Sequence, residues 1–200
     1  MNEWLNQLNQ LVISSRDNLP ITLIMIGLLY AIQVLNTLLN GALNILGIHP
    51  RKLIGLPGII LAPFLHGNFE HLFFNTIPLF ILLNVLLIYP MNEFVIILVS
   101  ITVIGGALTW LFGRNAIHIG ASGLIMGLWG FFLVGAIFHP SAVTIIVAVL
   151  ILYYLGGLFL NLLPSDASTS WEGHVFGFIG GVAVAYGLPW LMQASLLVFK

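Results

Sequence analysis

Gly120-Ala121-Ser122-Gly123, running straight into the apolar stretch Leu124 to Phe138, is the segment on which the reading of this chain turns. Small residues and a single hydroxyl stand at the mouth of a hydrophobic segment of helical length. A similar arrangement recurs near the end of the chain. There Gly173-His174 opens another apolar run, with Gly177 and Gly181 following at intervals of four, on one face of a helix. A hydroxyl and an imidazole at equivalent places on two apolar helices raise the question of whether they meet.

The surrounding composition sets the solvent. Hydrophobic residues make up 60% of the 200-residue chain and charged residues 6%, with a mean hydropathy of +1.12, which excludes an ordinary soluble domain. A helix needs about 20 apolar residues to cross a hydrocarbon core of about 30 Å. The pattern predicts six such passes: Ile21 to Leu39, Glu70 to Tyr89, Glu93 to Phe112, Ser122 to Phe138, Val143 to Leu163 and Gly173 to Met192. Pro20 suits the first turn of the first pass, and Pro90, Gly113, Pro140 and Pro164 mark breaks between later ones. The expected fold is therefore an all-α membrane protein, a six-transmembrane-helix bundle occupying residues 20–200. Residues 1–19 place Trp4, Leu5, Leu8, Leu11 and Val12 at helical spacing among Asn and Gln, as an interfacial amphipathic segment does.

Composition also excludes several function classes. A formal charge of −1 without any Lys/Arg run gives nucleic acid or acidic lipid nothing to bind. With no cysteine there is no disulfide, thiolate nucleophile or Cys-based metal site. No H-E-x-x-H motif occurs, and neither a metal nor a cofactor is expected. No Lys or Arg precedes Arg16, so the N-terminus reads neither as a cleaved signal nor as a transit peptide, and the first membrane helix is expected to direct the chain into the cell (inner) membrane.

Two polar features need partners in lipid. Gln33, Asn36, Asn40 and Asn44 are spaced 3, 4 and 4 apart, which predicts one helical face engaged in interhelical hydrogen bonds. The long connection Gly41 to Asn68 carries Pro50, Pro57 and Pro63, and its apolar piece Ile59 to Leu65 is too short to span, so it is expected to dip shallowly and pack against the bundle. The segment 164–172 is the most polar run in the chain.

Because consecutive passes alternate direction, the second, fourth and sixth all start at the same membrane surface. His71 and Asn75, Ser122, and His174 stand at those three starts. His71 and Asn75 are four apart and share a face, as do Ser122 and Met126. Gly123 and Gly127 on the fourth pass, and Gly173, Gly177 and Gly181 on the sixth, form the small-residue strips that let membrane helices touch backbone to backbone. A neutral imidazole at His174 could take the Ser122 proton and later pass it to a leaving amine. The Ser122 N–H, the His71 ring and the Asn75 amide are the candidate donors to an oxyanion. No carboxylate stands among these positions, although Glu70 and Glu172 adjoin them in sequence, so a two-member Ser/His arrangement is the simplest reading. The bland reading treats Ser122 as a helix cap, Asn75 as an interhelical hydrogen-bonder and both histidines as satisfied core residues. His66 is either a further polar wall or a loop residue, and His49, His118 and His139 read as solvated loop histidines.

Three segments together resemble the rhomboid intramembrane serine proteases of prokaryotic, six-helix type: His66-Gly-Asn-Phe-Glu-His71-Leu-Phe-Phe-Asn75, Gly120-Ala-Ser122-Gly123, and Gly173-His174-Val-Phe-Gly177 with Gly181. The resemblance covers about residues 20 to 192. It implies a Ser122 nucleophile, a His174 base, oxyanion support from His71 and Asn75, and a turn shaped by Gly120. It further implies a first loop partly embedded in the membrane, a mobile cap at 164–172, substrate entry beside the fifth pass, and single-pass transmembrane proteins as substrates. The sequence departs from the family in lacking a Trp-Arg pair in the first loop, in having Ala62 where a further histidine is common, and in having Met126 where an aromatic often stacks on the histidine. The alternative function is a non-catalytic relative that binds or escorts transmembrane segments through the same cavity.

Overall fold

The computed structural model of the chain describes residues 2–138, 140–157, 160 and 170–198. Eight α-helices account for most of them: α1 (Asn2–Asp17), α2 (Leu19–Leu38), the single turn α3 (Gly58–Leu61), α4 (Phe69–Leu86), α5 (Met91–Phe112), α6 (Ser122–Phe138), α7 (Ala142–Leu155) and α8 (Trp171–Val198). Among the described residues the β structure is limited to one isolated antiparallel bridge, Ile48 to His118.

Four segments are long and apolar enough to cross a membrane: α2, α4, α5 and the Trp171–Gln193 portion of α8. The other two expected passes are shorter. α6 begins at Ser122 as the sequence predicts, but its 17 residues rise only about 26 Å at 1.5 Å each. α7 has 14 residues and ends at Leu155, and the expected end of the pass at Leu163 lies outside the described residues. Gly156 and Gly157 follow Leu155, and glycine costs a helix about 1 kcal/mol per residue relative to alanine. Residues 161–169, which include 164–169 of the polar segment expected to act as a cap, lie outside the described residues, as does His139.

The bundle is built around α6. Every residue from Ile125 to Phe132 is buried, because this helix is apolar all round. α8 packs along it most extensively, and α5, α7 and α4 complete its surroundings. Leu72, Leu82, Leu86, Ile97, Leu128, Trp129 and Val184 are fully enclosed in the resulting core. The outer surface is just as apolar: Ile24, Leu38, Phe74 and Tyr153 are each more than two-thirds exposed, which water would penalise and lipid does not.

The polar stripe on α2 is resolved differently from expectation. The helix stops at Leu38, and Asn40 and Gly41, with φ of 54° and 81°, turn the chain back. Asn44 therefore sits in a 3-10 turn (Ala42–Leu46) and not one helical turn further along. Asn36 caps this reversal, donating from Nδ2 to Asn44 Oδ1 (2.9 Å) and to the His66 carbonyl (3.3 Å), and accepting at Oδ1 from Leu43 N–H (3.0 Å). Gln33 reaches Thr37 in its own helix, and Asn40 is exposed. The expected bonds between helices are thus bonds between α2 and the first loop.

That loop is folded tightly. A Cβ at Gly106 of α5 would stand 2.8 Å from the Ile59 carbonyl oxygen, so α3 lies directly on α5. At its far edge Trp110 Nε1–H donates to the Lys52 carbonyl (2.9 Å) and Arg51 Nη1 to the Gly113 carbonyl (2.7 Å). The N-terminal helix α1 is tied to the end of α4 by Asn84, whose Nδ2 donates to the Ser15 carbonyl (3.0 Å).

Candidate active site

The loop ahead of α6 decides where Ser122 stands, and it is pinned from two sides. Toward the first loop, Ile48 and His118 exchange both backbone bonds (3.0 and 2.9 Å), Gly120 N–H donates to the Ala62 carbonyl (2.9 Å), and the buried Ala121 N–H donates to His66 Nε2 (3.3 Å). Toward α4, Gly120 lies against the His71 ring. A Cβ there would come within 2.8 Å of His71 Nε2 and Cε1, and 3.7 Å of Asn75 Nδ2. Its φ of 113° is a second reason for glycine, since L side chains rarely adopt it. This turn delivers Ser122 as the first residue of α6 beside His71 and Asn75.

The approach of α8 rests on glycine against glycine. A Cβ at Gly177 would fall inside the Gly123 carbonyl, and one at Gly181 inside the Gly127 carbonyl. The strips on Gly123/Gly127 and Gly173/Gly177/Gly181 therefore face each other as the spacing predicts, and Gly105 of α5 closes on Gly177 from another side. This contact carries the His174 end of α8 to the Ser122 end of α6.

Ser122, His174, His71, Asn75 and Met126 line one cavity of about 750 Å³, together with Phe74, Pro78, Ile125 and Ser170. His71, Ser122, His174 and Asn75 are the third, first, fourth and seventh residues of their helices, so these four lie near one end of the bundle. His71 is held by the α4 cap, where Asn68 Oδ1 accepts the His71 N–H (2.8 Å). Asn75 is 7% exposed, and its Nδ2 has no hydrogen-bond partner among the described atoms. A buried donor left open costs about 1–3 kcal/mol, and this one stands in the cavity wall. His174 is buried and lies within electrostatic reach of His71. Met126, 1% exposed, forms part of the cavity wall one turn below Ser122. No group of three His, Asp or Glu side chains among the described residues converges as metal ligands do.

His66 is a loop residue that does not line the cavity itself but stands behind His71, which does. It is fully buried, and its ring meets that of His71 edge to face at 5.1 Å. Burial, with the His71 charge adding to it, lowers its pKa to about 4. Nε2 accepts from Ala121, so the proton of the neutral ring sits on Nδ1, turned toward the Phe64 carbonyl without reaching hydrogen-bond geometry. An unfolded chain binds the proton near pH 6.5, so the fold loses stability as pH falls from about 6.5 toward 4 and keeps it in full above. Thermal unfolding in detergent should show a shallower loss of Tm over this window for His66→Gln than for the wild type. Equal slopes would refute the assignment.

Two residues near the site were given no part in it by sequence reasoning. His118, expected to be a solvated loop histidine, is 4% exposed. Its Nε2–H donates to the Arg114 carbonyl (3.1 Å) and its Nδ1 faces the Ser170 hydroxyl. Glu172 is also buried, with Oε1 3.5 Å from Arg114 Nε. The available signal for His118 was spacing, since His118 and Ser170, which it bonds, stand four residues before Ser122 and His174 respectively.

Residues 55–190 match the sequence profile of the Rhomboid domain. Uncharacterized proteins of Mycobacterium bovis and Mycobacterium tuberculosis are each 37% identical to this chain over 170 residues, covering 80% of it and 71% of their own length. One from Mycobacterium leprae is 36% identical over 169 residues, covering 80% and 67%. With the profile spanning more than half of a multi-pass, all-helical membrane chain, this protein belongs to the rhomboid family.

Proposed function

We propose that this chain is an intramembrane serine endopeptidase that cuts single-pass transmembrane proteins in or near their membrane segments. The observation that carries the reading is the shared cavity: Ser122, His174, His71 and the unpartnered Asn75 amide all line it. In this reading six helices cross the cell (inner) membrane, α6 and α7 as short spans, with α1 in the interface and the first loop partly embedded. α7, which packs on α6 and α1, borders the route of substrate entry, and the 164–172 segment caps the site.

His174 accepts the Ser122 proton as Oγ attacks the scissile carbonyl, and the imidazolium then protonates the leaving amine. Water repeats the sequence on the acyl-enzyme. The oxyanion is met by the Ser122 N–H, the His71 ring and Asn75 Nδ2, donors already oriented before charge develops. Gly120 keeps the space between Ser122 and His71 open, and Met126 closes the wall below. Neither a metal nor a cofactor has a part in these steps.

The test is labelling of the reconstituted chain with a fluorophosphonate probe, which needs an activated serine and no knowledge of the substrate. Ser122-dependent labelling supports the reading. Binding of transmembrane peptides with neither labelling nor cleavage would replace it with the escort function. Asn75→Ala is expected to lower kcat about 10²- to 10³-fold, the usual loss for one oxyanion donor. Because the amide is unpartnered in the resting fold, the same variant should keep or raise its Tm. A matching fall in Tm would count against an oxyanion role.

A further inference from the structure

The serine loop and the start of α8 meet at a polar contact separate from the four proposed site residues. His118 and Ser170 bond side chain to side chain, and each lies four residues ahead of a partner in the proposed dyad. Two residues along a helix turn about 200° around its axis, so with His174 toward the cavity, Glu172 points to the loop, where it meets Arg114. The contact therefore has two strands, Arg114 to Glu172 and His118 to Ser170, both joining the segment 114–121 to the first turn of α8.

The chemistry of each strand favours a fixed geometry. The Arg114 carbonyl only accepts, so the neutral His118 ring carries its proton on Nε2 and receives the Ser170 hydroxyl proton at Nδ1. Burial holds this imidazole below its ordinary pKa, which keeps that polarity through the neutral range. Glu172 lies in the first turn of α8, where the helix dipole favours a carboxylate. Its Oε2 nevertheless has no hydrogen-bond partner among the described atoms. A buried carboxylate with one guanidinium at 3.5 Å is a poor source of stability. What it supplies is orientation.

We propose that His118 and Glu172 are positioning residues: with Ser170 and Arg114 they clasp the loop that delivers Ser122 to the helix that carries His174, and so set the separation of nucleophile and base. The proposal rests on the protease reading.

The experiment compares the full chain in liposomes with His118→Cys/Ser170→Cys and with Glu172→Gln. The readouts are the rate of fluorophosphonate labelling, kcat and KM on a transmembrane peptide substrate, and Tm. The natural chain has no cysteine, so a short bis-methanethiosulfonate reagent joins only the introduced pair. With the pair reduced, labelling and kcat should fall about 10- to 100-fold at a KM within about twofold, as misplacement by about 1 Å produces. Cross-linking should recover most of the loss. The clasp is overturned if the reduced pair labels at the wild-type rate, or if the cross-linked form stays as slow as the reduced one. Glu172→Gln, nearly isosteric, decides independently: kcat should fall at least about tenfold with KM and Tm held, and unchanged kcat, or a loss explained by lowered Tm, overturns it. A wild-type chain that fails to label removes the protease reading itself. A wild type that labels alongside equally active variants removes only the clasp.

Discussion

Ser122→Ala is expected to abolish fluorophosphonate labelling and to lower cleavage of a reconstituted transmembrane substrate by on the order of 10⁴- to 10⁶-fold. The size follows from the composition of the site. The chain has no cysteine, and the other serine that lines the cavity, Ser170, has its hydroxyl bonded to His118. The substitution removes one oxygen from a half-buried helix start and breaks no hydrogen bond that holds the loop, because Gly120 and Ala121 supply those bonds through their backbone. Tm should therefore stay close to the wild-type value, separating loss of chemistry from loss of fold. Cleavage above about 1% of wild type, measured by the appearance of a new amino terminus in the substrate, would rule out Ser122 as the nucleophile.

Gly177→Ala is expected to lower the rate about 10²-fold by moving the base. The added methyl would meet the oxygen, carbon and Cα of Gly123, the residue covalently next to Ser122. Backbone cannot rotate away as a side chain does, and α8 has no room to retreat: Gly105 of α5 stands so close that its own Cβ would lie 3.1 Å from the Gly177 Cα. Overpacking of this kind costs about 1–3 kcal/mol, and displacing a reactive pair by about 1 Å costs about 10²-fold in rate. Gly187→Ala in the same helix is the control, since a Cβ there meets nothing within 4 Å. It should be neutral or stabilising by up to about 1 kcal/mol. Equal labelling rates for the two variants would show that the glycine contact does not set the site.

The helices that could be placed from sequence were those whose signal is local. Apolar length and proline breaks located α2, α4, α5 and the start of α6 to within a few residues, because a helix in lipid must satisfy its backbone internally. The helix of the fifth pass ends at Leu155, where Gly156 and Gly157 interrupt helix propensity, and its expected end at Leu163 lies outside the described residues. The Asn36 to Asn44 stripe failed as a single helical face. Side-chain period extrapolates a helix through residues whose backbone has already reversed, and the positive φ of Asn40 and Gly41 leaves little mark in a pattern of spacing.

Four residues of the candidate site were legible because alternation of passes sorts helix starts to one membrane surface without any coordinates. Composition and spacing alone thus determined the lipid solvent, the all-helical class, the level at which Ser122, His174, His71 and Asn75 stand, and the glycine faces able to bring two of those helices together. Only the tertiary structure decided that the faces do meet, that Gly120 presses on the His71 ring, that the Asn75 amide is left without a partner, and that His66, His118 and Glu172 are buried around the loop. Those facts depend on contacts between residues about 50 to 60 positions apart, across segments with no periodicity of their own. Loop backbone follows the surfaces it is packed between, and those surfaces exist only once the helices have assembled.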